Sequence, residues 1–394
     1  MGLGRDAMMA AGSRRRDETK ERWMASGAWI LLRRLAALGA AVGTFSVCAA
    51  ASAASAGAPG LQAQATPAPG GATRPAPAPA STPRPAPAAA VEPLPESFES
   101  DSFVVVLAKT GDTAEGLARR YLGDPAKAWM IEDYNGTATF TPGREVVIPK
   151  RPWNPSGVEP RGYQLVPILC YHNLGPQTRG RLLMSASAFE EQMRYLKREG
   201  YHVITLKQFL DFAALRQQLP RKTVVLTFDD GWKSFKEYAY PILKELGFPA
   251  TLFIYTDFIG ARIALSWAEI KDLAQEGFDI QAHSKSHDDM RRKPTESEDE
   301  YNRRMQSELV QPLATFQQRV GTLPKILAYP YGSHDDGVVK RVKEAGYIAA
   351  LDVRRQGNPS FTPTLTIHRA QVYSEMTLDD FIRNLTVFSE ETIR

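Results

Sequence analysis

Val224-Val225-Leu226-Thr227-Phe228-Asp229-Asp230-Gly231 is an apolar run that stops abruptly on two carboxylates and a glycine. An unbroken apolar stretch of this kind reads as a strand buried on both faces, as in a parallel sheet covered by helices. The residues around it repeat the pattern. Strand-like runs at Val166 to Tyr171, Val203-Ile204, Thr251 to Tyr255, Asp279 to Ala282, Ile326 to Ala328, Tyr347 to Leu351 and Leu365 to Ile367 alternate with amphipathic helical stretches. One predicted helix opens on a capping box at Ser187-Ala188-Phe189-Glu190 and stops at Gly200; another runs from Phe235 to Leu246 before Gly247. This alternation predicts an α/β barrel over residues 165–394, with its site at the C-terminal ends of the strands.

Asp229 and Asp230 stand at such an end. Two adjacent carboxylates are costly to bury unless a cation or a shared proton compensates, and Gly231 lets the chain turn sharply after them. His283-Ser284-Lys285-Ser286-His287 follows another strand, Phe278 to Ala282. Histidines four apart on a helical turn point the same way, a common metal-ligand spacing. One carboxylate with two imidazoles leaves coordination positions open, as a hydrolytic metal site requires. Either motif alone reads most simply as structural; together, after successive strands, they predict one metal centre.

These motifs resemble those of the polysaccharide deacetylases, the NodB-homology domain of carbohydrate esterase family 4. Thr227-Phe228-Asp229-Asp230-Gly231 matches the first family motif, His283-Ser284-Lys285-Ser286-His287 the second and Tyr329-Pro330-Tyr331-Gly332 the third. The resemblance implies a distorted (β/α)7 barrel, a divalent metal, usually Zn2+, on Asp230, His283 and His287, and Asp229 as catalytic base. Ala328 stands where the family usually has an arginine, and Arg369 is the candidate to replace it. Two histidines compete for the acid that protonates the departing amine. His368 follows Ile367 in the family's C-terminal position. His172 ends the apolar run Ile168-Leu169-Cys170-Tyr171, an order resembling the subgroup that deacetylates poly-β-1,6-N-acetylglucosamine, and this order favours His172. Tyr331, Trp232, Pro330 and Asn173 are candidate substrate contacts; His202 and His334 read as structural or surface residues.

The N-terminal part has a different character. Basic residues from Arg14 to Arg34 precede the apolar run Leu35 to Ala50 and the small residues Ala51 to Ala56. Residues 1–56 therefore predict a signal peptide or N-terminal anchor, and an exported protein of the periplasm, envelope or exterior. An uncleaved segment would attach the chain to a membrane. Residues 57–101, rich in Ala and Pro, predict a disordered linker. Residues 102–150 predict a strand-helix-helix-strand unit. Gly111-Asp112-Thr113, Leu117-Ala118, Asn135, Pro142-Gly143 and Ile148-Pro149 in it resemble a LysM module. That resemblance implies binding to glycans of N-acetylglucosamine. Residues 151–164 predict a connector.

The formal charge of +4 is matched by the first 56 residues alone, which carry eight Lys/Arg against four Asp/Glu. The rest is near neutral, which argues against a nucleic-acid partner. Cys48 falls in the signal, so Cys170 has no intramolecular partner in a mature chain and reads as a small core residue. The function expected is metal-dependent N-deacetylation of an N-acetylglucosamine polysaccharide, either exopolysaccharide or peptidoglycan. An O-acetyl glycan esterase and a non-catalytic wall-binding protein are the rivals.

Overall fold

Val225, Thr227 and Asp229 share one face of their strand, and in the computed structural model that face points into a barrel. The structure describes residues 97–392. The expected signal or anchor and nearly all of the expected linker lie outside them. Eight parallel strands form the barrel sheet: β1 (Ile168–Tyr171), β2 (His202–Ile204), β3 (Thr223–Asp230), β4 (Thr251–Ile254), β5 (Asp279–Ala282), β6 (Ile326–Ala328), β7 (Ala349–Leu351) and β8 (Ala370–Gln371). Their order is β7-β6-β5-β4-β3-β1-β8, and the short β2 pairs with the start of β3. The sheet curls until its edges meet. Leu351 at the end of β7 bridges Ile367, three residues before β8 begins.

The two faces of β3 separate two cores. Val225 joins Ile168, Phe253, Ile326, Ala349 and Leu351 inside the barrel. Val224, Leu226 and Phe228 face the surrounding helices and pack with Phe189, Phe235 and Leu252. Successive strand residues point to opposite faces, so Thr227 and Asp229 follow Val225 inward. That is why an acid at this position of the run is buried, 3 % exposed.

Several boundaries differ from expectation. The helix expected to open on a Ser187 capping box spans Ala186–Arg198, and its N-cap is Ser185, whose hydroxyl accepts from the Ala188 N–H at 3.2 Å. Ser185 ends a short strand and has the extended backbone that an N-cap needs; Ser187 is already helical. The helix expected from Phe235 starts as a π-turn, Phe235–Ala239, before regular α-helix over Tyr240–Leu246. The last expected strand, Leu365 to Ile367, gives way to a single bridge at Ile367 and to β8. The connector is part of the fold: Val158–Glu159 and Gly162–Gln164 pair in a small sheet with Phe388–Glu390. Gly162 makes this possible, since a Cβ there would lie 1.9 Å from the Ser389 carbonyl oxygen.

The unit ahead of the connector has strand-helix-helix-strand order, with one addition. Ser97–Glu99, inside the expected linker, pairs antiparallel with Phe103–Leu107, which pairs antiparallel with Glu145–Pro149. Helix Ala114–Leu122 is capped by the Thr113 hydroxyl and ends at Gly123; helix Ala128–Asn135 ends at Gly136. The Asn135 amide donates to the carbonyls of Ile131 and Val147, each at 2.7 Å, and its oxygen accepts from the Val147 N–H. One side chain thus ties a helix end to the sheet. Val104, Val106, Leu117, Ala118, Ile131, Val146 and Ile148 form the unit's own core.

The unit touches the barrel through Asp133, whose carboxylate accepts from the Arg221 N–H at 3.0 Å, and through Trp153, whose ring meets those of Trp129 and Tyr134. Burial raises the Asp133 pKa to about 6, against the opposing pull of Arg221. A carboxyl raised in this way favours the folded state at low pH, and that contribution is lost as pH climbs from about 4 to about 6. Denaturant unfolding across this range should show the parent's stability, taken relative to that of Asp133→Asn, falling as pH rises. Among the described residues, no helix is long and apolar enough to cross a membrane.

Candidate active site

Asp229 and Asp230 are neighbours with different surroundings. Asp229 points inward and meets Arg369 in a two-pronged pair, with Nη1 to Oδ1 at 2.6 Å and Nη2 to Oδ2 at 2.8 Å. Arg369 is fully buried; its Nη1 also reaches the Thr227 hydroxyl, and its Nε donates to the Asp352 carbonyl. The Cys170 thiol donates to Asp229 Oδ2 at 3.3 Å. Burial pushes the Asp229 carboxyl up, but the Arg369 charge and the neighbouring imidazoles outweigh it and hold the group well below the usual carboxylate range. Asp229 is an oriented anion at neutral pH.

Asp230 has left-handed backbone, φ 76°, which turns its carboxylate out of the strand's alternation. Gly231 completes the turn with φ 91°, where a Cβ would press into Ile259. The Trp232 indole N–H donates to Asp230 Oδ2 at 2.8 Å, while Oδ1 is buried without a hydrogen-bond partner. That orphaned oxygen lies 3.7 Å from His283 Nε2 and 3.5 Å from His287 Nε2. His283 Nδ1 pairs with the Ala328 carbonyl at 2.8 Å, so Nδ1 carries the proton and Nε2 presents its lone pair to the centre.

The two histidines do not sit on a helical turn. They occupy an irregular loop after β5, in which Ser284 (φ 69°) and His287 (φ 65°) are left-handed and the Ser284 hydroxyl accepts from the His287 N–H. Convergence of the imidazoles comes from this folded loop, not from helical periodicity. Of the five described non-glycine residues with positive φ, four are Asp230, Ser284, His287 and Tyr331, so backbone strain is concentrated at the site.

Asp230, His283 and His287 fit a divalent cation. Their donor atoms lie within 4.8 Å of one another, and two imidazoles with a carboxylate suit zinc. A second group, Cys170, His172 and Asp229, meets the same distance criterion. It fits a cation poorly, because the Arg369 guanidinium already neutralises Asp229 from inside the barrel.

His172 comes to the centre; its Nε2 lies 4.0 Å from Asp229 Oδ2, and its Nδ1 is buried without a partner. His368 does not. Neighbouring residues of an extended segment point to opposite sides, and Arg369 takes the side facing Asp229. His368 instead contacts both carboxylate oxygens of Asp352 at 3.1 Å, where His334 also lies. Tyr331 is 65 % exposed beside His287, and Trp232 is half-buried beside Asp230. Pro330 is buried in its turn, and the Asn173 side-chain oxygen accepts from the Ser234 hydroxyl. Tyr329 and Trp267 pack in the core.

Two residues escaped the motif reading. Cys170 belongs to the core but touches Asp229. Glu308, buried on the helix Glu298–Leu309, accepts from the N–H groups of Lys285 and Ser286 and from the Ser286 hydroxyl, clamping the histidine loop. A lone glutamate on a helix carries no sequence signal for that task. Glu308→Ala should orphan the loop donors and destabilise the fold by about 2–3 kcal/mol, measured by denaturant unfolding of the metal-free chain.

A family model described as polysaccharide deacetylase matches residues 216–350. That span contains Asp229, Asp230, His283, His287 and Tyr331 but neither His172 nor Arg369. A Bacillus subtilis protein, YxkH, provisionally named as a polysaccharide deacetylase, is 26 % identical over 207 residues, 52 % of this chain and 71 % of that one. The poly-β-1,6-N-acetyl-D-glucosamine N-deacetylase of Escherichia coli K12 is 21 % identical over 287 residues; the match covers 63 % of this chain but only 41 % of that protein. The solved structure of IcaB from Ammonifex degensii superposes with a TM-score of 0.51 at 24 % identity, over 57 % of this chain and 98 % of that one, and shares its fold. With the barrel, the three motifs and these matches in place, the chain carries a polysaccharide deacetylase domain.

Proposed function

We propose that this chain is a metal-dependent hydrolase that removes N-acetyl groups from an N-acetylglucosamine polysaccharide. The observation that carries the reading is the unpartnered Asp230 Oδ1 facing two imidazole nitrogens, next to the ionised Asp229. Asp230, His283 and His287 would hold the metal, with zinc favoured. Bound there, it would polarise the acetyl carbonyl and make a water molecule more acidic.

The chain's own groups supply the rest. Asp229, fixed by Arg369, accepts the proton of the attacking water. His172, across from Asp229 at the end of β1, delivers a proton to the departing amine, without which the amide nitrogen leaves poorly. The backbone N–H at Tyr331 is the candidate donor to the oxyanion, and the exposed Tyr331 ring offers a sugar face a surface for stacking. The unit ahead of the barrel, with its likeness to LysM modules, would hold the polymer. The glycan preference which that likeness implies and the named activity of the Escherichia coli relative both favour an N-acetylated substrate. The basic and apolar N-terminal sequence supports export to the envelope.

Acetate release tests the reading. The zinc-loaded chain should release acetate from poly-β-1,6-N-acetylglucosamine or chitin oligomers, stop when treated with a chelator, and recover on addition of zinc. Release from acetylxylan alone would make it an O-acetyl esterase. A chain that binds no metal and is inert on every polymer would be a wall-binding protein instead.

A further inference from the structure

The two imidazoles of the centre are oriented by different means. His283 is fixed by its bond to the Ala328 carbonyl. The ring of His287 meets instead three other rings: His283 at 4.7 Å, Tyr331 at 4.6 Å and Tyr255 at 5.1 Å between centroids. From Tyr255 the contacts continue. Phe258 lies nearly parallel to Tyr255 at 5.1 Å, with 16° between planes, and Trp232 meets Phe258 edge-on at 4.9 Å. Trp232 then donates its indole N–H to Asp230. An unbroken arc of rings therefore joins the carboxylate of the centre to its outer imidazole.

The middle of the arc, residues 255–258, follows β4, between the strands that lead to Asp230 and to His283. It is tied to the histidine loop by the Asp257 N–H to the Lys285 carbonyl at 3.0 Å and by the Lys285 ammonium to Asp257 at 2.7 Å. Tyr255 and Phe258 are half-buried and belong to neither core cluster of the barrel, so core packing does not account for them. Offset-stacked and edge-to-face ring contacts restrict orientation. In a metal site, the groups that orient the ligands commonly set affinity.

We propose that Tyr255 and Phe258 are positioning residues of the metal centre: they hold Trp232 on Asp230 and set the ring plane of His287. The inference rests on the reading that Asp230, His283 and His287 bind a metal. Its test is zinc affinity, measured by competition with a chromophoric chelator on the purified chain, alongside the unfolding midpoint of the metal-free protein. Tyr255→Leu and Phe258→Leu should each weaken zinc binding about tenfold or more and leave the metal-free midpoint unchanged. Tyr255→Phe, which keeps the ring, should bind as the parent does. The double leucine variant should lose less than the product of the single losses, because both act through one arc. Leucine variants that bind zinc like the parent would overturn the proposal, as would a loss accompanied by a lower metal-free midpoint. A parent chain that binds no more zinc than Asp230→Asn would remove the metal reading itself, and this inference with it.

Discussion

Asp229→Asn is expected to cut acetate release by about 10²–10⁴-fold, the range for losing a positioned general base, while zinc still binds. An amide at this position keeps the shape and still meets Arg369 through its oxygen, but it cannot take a proton from water. Asp230, 3.5–3.7 Å from the two imidazoles, is untouched by the change. The separation of turnover from metal binding distinguishes a base from a ligand; a variant that lost zinc together with activity would show that Asp229 is a ligand. The acid is tested in the same assay. His172→Ala should lose turnover on a similar scale, whereas His368→Ala should keep it, because His368 is engaged with Asp352 on the side away from Asp229. If only His368→Ala were inactive, the acid would be His368.

Arg369→Ala should destabilise the fold by about 3–5 kcal/mol, the usual cost of stranding one charge of a buried pair. Arg369 is fully buried and spends its donors on Asp229, Thr227 and the Asp352 carbonyl, so its loss leaves Asp229 charged, buried and unoriented. Replacing the pair by apolar residues, as in Asp229→Leu with Arg369→Met, should recover much of that stability, since no charge is then stranded. Denaturant unfolding of Asp229→Leu, Arg369→Met and their double variant forms the cycle that measures the coupling. A single variant as stable as the parent would mean that water reaches Asp229 and solvates it. Turnover should also fall, as the base loses the group that holds it in place.

The alternation of apolar strands with helices, the strand-end position of Asp229 and Asp230, and the pair His283 and His287 were legible in the amino-acid order. Periodicity and strand ends are local properties, and so are the turns at Gly231 and Gly247. The helix start at Ser185, the π-turn at Phe235 and the pairing of the connector with Phe388–Glu390 were not legible. Each depends on a neighbour distant in the chain or on a competition between adjacent caps.

The site divides in the same way. The kinds of residue at the centre follow from the sequence alone, because a metal of this class needs imidazole and carboxylate donors and the motifs contain them. Tertiary structure decided how those donors are used. The loop after β5, held by Glu308 from a helix more than twenty residues away, brings His287 round to Asp230 without a helical turn. The curl of the sheet brings Arg369, 140 positions from Asp229, onto its carboxylate. Strand parity then turns His368 away and leaves His172 at the centre. Side-chain direction across a closed barrel depends on where its edges meet, and no local pattern in this sequence specifies that.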